Sequence, residues 1–161
     1  RVLDKILRLE AAKGNLDAHI KLYFNSDLYD TEWVEKAIGL GSDEAMVVKA
    51  SCFDFASDDK EDAYMWYRKA AEQGNAEAMY YIGECIEDSR ITANPNESDL
   101  YWYMKAADLG HPKALLRLAK EYLSGDRLPK DADKTKALVR QAVLNGANFD
   151  MIMRYQVPYM F

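Results

Sequence analysis

One ten-residue pattern recurs along the chain and constrains what it can fold into. It reads Trp66-Tyr67-Arg68-Lys69-Ala70-Ala71-Glu72-Gln73-Gly74-Asn75 in one copy and Trp102-Tyr103-Met104-Lys105-Ala106-Ala107-Asp108-Leu109-Gly110-His111 in another. An earlier copy runs from Trp33 to Ser42, and weaker ones run from Ile6 to Gly14 and from Leu138 to Gly146. Each places a large apolar residue eight positions before a glycine, and those glycines are spaced by 27, 33, 36 and 36 residues. Periods of this size belong to stacked helix pairs. In Trp66–Gln73 the apolar Trp66, Ala70 and Ala71 fall along one side of a helix. The alanines admit a neighbouring helix closely, and the tryptophan fills the space at the outer end. The glycine suits the left-handed residue just past a helix C-terminus.

A second helix starts within a few residues of each glycine. Asn15, Ser42, Asn75 and His111 follow the glycines, and Asn and Ser are good helix N-caps. Pro112 fits a first helical turn. Each unit is therefore a leading helix after the glycine and a trailing helix carrying Trp-x-x-Lys-Ala. Leading helices are expected at 16–24, 43–55, 76–88 and 112–123. Trailing helices are expected at 2–13, 31–39, 61–73, 98–109 and 132–145, with a short last helix at 149–155. This is one all-α repeat domain over 1–161 of about ten helices in antiparallel pairs. Its units are 1–14, 15–41, 42–74, 75–110 and 111–146, and 147–161 is a C-terminal cap. Length varies only between the glycine and the next large residue. The loops at Asp88–Asp99 and Ser124–Pro129 are length-tolerant, or functional on a rigid scaffold.

Composition narrows the function. The 21 Lys+Arg against 27 Asp+Glu leave a charge of −6, which argues against a dedicated nucleic-acid binder. No apolar run reaches the roughly 18–20 residues of a membrane span. No secretory leader is visible, which favours the cytoplasm over the periplasm, although the chain opens at Arg1. Two histidines, His19 and His111, and two cysteines leave little for a His-rich metal site or a disulfide scaffold. Phosphate-loop, nucleophile-elbow and zinc-protease motifs are absent. No cofactor, metal or catalytic residue is expected, and the chain reads as a binding module, not an enzyme.

The pattern resembles the Sel-one-like repeat family, relatives of the tetratricopeptide repeat. The resemblance is carried by Ala78, Ile82, Gly83 and Ile86, then Ala114, Leu118, Ala119 and Tyr122, and the Trp-x-x-Lys-Ala segments. Asp131–Leu138 resembles the approach to the trailing helix, with Leu138 in place of Trp. Lys49 falls where the family has Leu, which puts the register of that copy in question. The resemblance implies a right-handed superhelical solenoid whose leading helices line a concave face. It also implies an adaptor or binding scaffold in a bacterial system.

Matched to that pattern, the leading helices offer a partner-binding groove. Counting complete helix pairs from 15–41, the second unit contributes Val47, Val48, Ser51 and Asp54. The third contributes Tyr80, Tyr81, Glu84 and Glu87, and the fourth contributes Arg117 and Lys120. The middle of this groove is aromatic and acidic, and the fourth unit is basic. Such a mixture suits a protein or peptide partner, and a merely solvated face is the alternative. Trp33, Trp66 and Trp102 share one register and are expected in the core. Cys52 and Cys85 each lie 11 residues past a glycine. They would sit on neighbouring helices with parallel side chains, so no bridge is expected. The acidic run Ser57–Asp62 reads as a helix start, with a patch for a basic partner as the alternative. Tyr155–Phe161 reads as a cap over 132–145, or as a docking segment for a partner or second copy.

The leading expectation is a non-enzymatic protein-binding module, an adaptor or regulator of a bacterial complex, with the monomer favoured. An immunity protein that neutralises a secreted toxin effector is the more specific alternative. A structural oligomeric scaffold is the second.

Overall fold

The turn between trailing and leading helices is one structure used five times. At Gly74 the backbone N–H donates to Ala71 O at 2.9 Å, and the next N–H, of Asn75, donates to Ala70 O at 3.2 Å. The pair closes only if the intervening residue is left-handed, and Gly74 has φ +91°. The same two bonds recur at Gly14, Gly41, Gly110 and Gly146. The helix that follows is capped by a side chain. The Asn15 oxygen accepts from Ala18 N at 3.1 Å, and the Ser42 hydroxyl accepts from Ala45 N at 3.1 Å. His111 Nδ1 accepts from Ala114 N at 3.3 Å, ahead of Pro112.

The computed structural model describes residues 2–25, 31–56, 60–88, 91 and 94–157, with the side chains of 54–56 also outside the description. Among the described residues there are ten helices and no strand. They are α1 (Val2–Ala12), α2 (Leu16–Asn25), α3 (Thr31–Gly39), α4 (Asp43–Ala56) and α5 (Lys60–Glu72). Then come α6 (Ala76–Glu87), α7 (Asp99–Asp108), α8 (Pro112–Ser124), α9 (Ala132–Leu144) and α10 (Phe149–Arg154). The expected all-α array of about ten helices is what forms, with bounds within two residues of those read from the sequence. The loop at Asp88–Asp99 falls partly outside the described residues, as does the acidic run at Ser57–Asp59. Lys60, Glu61 and Asp62 open α5 and are exposed.

The chain divides into two compact units, Arg1–Asn75 and Ala76–Phe161, one residue past a repeat glycine. In the first unit α1 packs on α2, α2 on α3, α3 on α4 and α4 on α5. Its core joins Leu7, Ala11, Ala18 and Leu22 to Tyr23, Val34, Ala37 and Ala45. In the second unit α6 packs on α7, α7 on α8 and α8 on α9.

Burial follows columns fixed by the repeat. On the trailing helices the alanines four residues past the large apolar position, Ala37, Ala70, Ala106 and Ala142, are all fully buried. The deepest large side chain is one residue after the tryptophan or Leu138, at Val34, Tyr67, Tyr103 and Val139. Trp102 is buried and Trp33 packs half-buried against both core clusters of the first unit, as expected of core tryptophans, while Trp66 is half-buried at the rim. Their exposed faces are covered by cations. The lysine three residues on lies over each ring, Lys36 over Trp33 at 4.7 Å, Lys69 over Trp66 at 4.1 Å and Lys105 over Trp102 at 5.3 Å. One helical turn brings Trp-x-x-Lys together, so the motif holds a cation–π pair as well as a packing position.

Candidate functional site

The leading helices carry their own columns, counted from the preceding glycine. Positions four, five and six residues on are buried in all three full-length copies. They are Ala45, Met46 and Val47, then Ala78, Met79 and Tyr80, then Ala114, Leu115 and Leu116. Val47 is 7% exposed and Tyr80 is 3% exposed, so these two expected groove residues are buried in this structure and do not lie open on the surface. Positions seven and ten remain half-exposed, at Val48 and Ser51, Tyr81 and Glu84, and Arg117 and Lys120.

In the second unit these positions form one connected polar and aromatic surface on α6 and α8. The Tyr80 hydroxyl donates to Glu84 Oε1 at 2.5 Å. Its single proton is then used, so the Tyr155 hydroxyl donates to Tyr80 Oη, also at 2.5 Å. His111 stacks on the Tyr80 ring at 4.9 Å between centroids, and Tyr81 meets its edge at 5.6 Å. Lys113 stands 5.6 Å from the Tyr80 ring centre and 5.7 Å from that of Tyr81. Below them the Tyr103 hydroxyl donates to Glu87 Oε2 at 2.9 Å. Arg117 pairs with Glu87 and lies over the Tyr103 ring at 5.4 Å. The acidic third unit and basic fourth unit expected from the sequence therefore interlock through Arg117 and Glu87. Lys120 is left as a half-exposed cation beside them.

The loop after α8 braces this face. Arg127 holds both carboxylate oxygens of Glu121, at 3.0 and 2.6 Å, and reaches Asp99 at 2.6 Å. Glu121 is buried, and the Arg127 hydrogen bonds hold its carboxyl below the usual carboxylate range. Burial pushes the Tyr80, Tyr103 and Tyr155 phenols upward, so all three stay protonated donors. Burial, aided by the nearby Lys113 charge, lowers His111 to about 4. A neutral imidazole is what the α8 cap requires, because Nδ1 must accept from Ala114 N.

In the first unit the expected groove is mostly occupied by packing. Val48 lies against the core cluster of Tyr23, Val34, Ala37 and Ala45. Ser51 donates back to Val48 O at 2.7 Å. The Asp54 side chain lies outside the described residues. A cleft of about 290 Å³ opens instead between α2, α3 and α4, lined by Tyr23, Val34, Lys49, Cys52 and Phe53 among others. Cys52 shares a hydrogen bond of 3.0 Å with the Tyr23 hydroxyl. Lys49, the departure from the repeat pattern, pairs with Glu35 at 2.5 Å and covers Trp66 at 4.3 Å. The helix register is therefore kept, and the lysine links α4 to both α3 and α5. Sequence reasoning missed this cleft. The available signal was Lys49 and Cys52 one turn apart on a helix otherwise apolar at that height.

Both cysteines are free thiols, Cys85 buried and Cys52 half-buried. Among the described residues no group of His, Cys, Asp and Glu is arranged to hold a metal ion. No described helix is long and apolar enough to cross a membrane. Glu84 and Glu87 on α6 are committed to Tyr80, Tyr103 and Arg117.

The Sel1 repeat family model matches the chain at residues 56–75, 76–111 and 112–146. The comparison with curated proteins gave no match. Among solved structures, a Sel1 repeat protein from Oxalobacter formigenes superposes with a TM-score of 0.75 at 18% identity, over 95% of this chain and 76% of that one. The protective antigen c5321 of uropathogenic Escherichia coli, which displays the same repeat fold, gives 0.67 at 20% identity over 89% of this chain. This chain spans 34% of the length of that antigen. Pseudomonas aeruginosa PA5086 gives 0.57 at 16% identity, over 91% of this chain and 66% of that one. At such identities the likenesses speak for the fold alone. Sel1 repeats form a protein-interaction scaffold that is generally non-enzymatic. With three consecutive repeats matched across residues 56–146 of 161, more than half its length, the chain belongs to the Sel1 repeat family.

Proposed function

We propose that this chain is a non-enzymatic binding module, an adaptor or regulator in a bacterial system. It engages a protein or peptide through the half-exposed columns of its leading helices. Tyr81, Glu84, Glu87, Arg117 and Lys120 form the contact surface. One observation carries the reading. On α6 and α8 aromatic rings, carboxylates and a cation are fixed in place by part-buried hydrogen bonds and an ion pair, yet their outer edges stay half-exposed. A pre-ordered surface of Tyr and Arg loses little entropy on association and is the composition of interface hot spots. An immunity protein that neutralises a toxin effector is the specific version of the same reading, since it needs a rigid, acidic recognition surface and nothing else. An oligomeric scaffold would cover this face with a second copy, and light scattering separates the two. The direct test is capture of the partner, followed by titration against Tyr81→Ala and Lys120→Glu. Each change is expected to weaken binding at least tenfold with helicity intact. Unchanged affinity in both removes the assignment.

A further inference from the structure

The C-terminal segment departs from the full-length leading helices at one residue, and the departure is informative. Nine positions past the glycine, α4, α6 and α8 carry Ala50, Gly83 and Ala119, small residues at a tight helix contact. Gly83 shows how tight, since a Cβ there would stand 2.6 Å from the Tyr103 ring. In the shorter α2 and in the last copy the ninth position is a buried tyrosine, Tyr23 and Tyr155. α10 keeps the register as far as Ile152, which is fully buried at the sixth position, and ends at Arg154. Gln156 then turns the chain with φ +55°, a left-handed conformation that non-glycine residues rarely adopt. Tyr155 and Val157 on either side of it are buried, at 8% and 2% exposure. A cap over α9 needs only apolar cover. Tyr155 instead delivers its hydroxyl to Tyr80 Oη, and through it to Glu84, on a helix 75 residues earlier in the chain.

We propose that Tyr155-Gln156-Val157 is an internal ligand seated on the face that α6 and α8 offer to a partner. The site at Tyr80 and Glu84 would then recognise a peptide tyrosine followed two residues later by a branched apolar side chain. The chemistry is complementary. Glu84 and Tyr80 present a polar acceptor at the end of an aromatic wall formed by Tyr80, His111 and Tyr81, which suits a phenol entering end-on. A partner segment of this kind displaces the tail, and the tail sets the threshold for displacement. Tethered to α9 through Ala147 and Asn148, it competes at an effective concentration in about the millimolar range.

This inference rests on reading α6 and α8 as the partner face, but its test needs no partner. A fluorescein-labelled peptide of residues 149–157 is titrated into the full chain, its Tyr155→Ala variant, and Tyr155→Ala combined with Glu84→Gln. The parent is expected to bind weakly, Tyr155→Ala at least tenfold more tightly, and the double variant to lose most of that gain. Equal affinity for parent and Tyr155→Ala, or a gain indifferent to Glu84→Gln, overturns the proposal. Should Tyr155→Ala lose helical circular dichroism, Tyr155→Phe decides by the same criterion, with a threefold gain expected. If the peptide behaves as expected while Tyr81→Ala leaves partner affinity unchanged, the partner face is wrong and the tail site stands. The reverse result removes the tail site alone.

Discussion

His111 gives the second unit a built-in acid sensitivity whose size follows from its position. The imidazole caps α8 by accepting from Ala114 N and stacks on Tyr80. Burial and Lys113 lower it to about 4 from its ordinary value of 6.5. The sign is set by which state takes up the proton. Between pH 6.5 and 4 the unfolded chain protonates this residue and the folded chain resists, so stability is complete above 6.5 and is lost as pH falls. From pH 7.5 to 4.5 full linkage amounts to roughly 2.5 kcal/mol. The ring is only partly buried, and solvent screening reduces that to about 1–2 kcal/mol. Asparagine is a good cap that does not titrate, so His111→Asn should remove the pH dependence and keep the helix. The assay is urea unfolding at both pH values in a Trp33→Phe, Trp66→Phe background, where Trp102 alone reports on the second unit. The parent should lose about 1–2 kcal/mol more than His111→Asn on acidification. Glu121 does not confuse the reading. Its lowered carboxyl contributes stability that is lost as pH falls through its ordinary value near 4.5, in parent and His111→Asn alike, so it cancels in the comparison. Parallel losses in parent and His111→Asn would refute the argument.

Two structural changes test the packing beneath the site. Gly83→Ala would place a methyl 2.6 Å from the Tyr103 ring, and overpacking of that kind costs about 1–3 kcal/mol. A melting curve superimposable on the parent would show that the α6–α7 contact is looser than described. Arg127→Ala leaves the buried Glu121 carboxylate without the partner that holds both its oxygens, at a cost of about 2–3 kcal/mol at pH 7. Glu121→Gln in the same chain should recover most of it, and failure to recover would place the Arg127 effect in the loop itself.

The fold was legible because its determinants are local. Each glycine, cap and alanine acts within a single turn, so Gly74, Ser42 and Ala70 fix their helix ends and contacts without knowledge of the rest. The surface was less legible because exposure is decided by contacts distant in sequence. Tyr80 was expected in the groove, and Tyr103, His111 and Tyr155 close over it. Trp66 was expected in the core, and its neighbour Tyr67 is the more deeply buried of the two. A one-residue rotation separates the column facing the core from the column facing its rim, and both hold aromatics. The tail contact between Tyr155 and Tyr80 was invisible to periodicity, yet Tyr155 had a signal. It stands where the three full-length leading helices have alanine or glycine.

The central claim is that the half-exposed columns of α6 and α8 bind a protein partner. Isothermal titration of the captured partner with the parent, Tyr81→Ala and Lys120→Glu tests it most directly. At least a tenfold loss in each variant, with unchanged circular dichroism, is the predicted result. Parent-like affinity in both variants would contradict it.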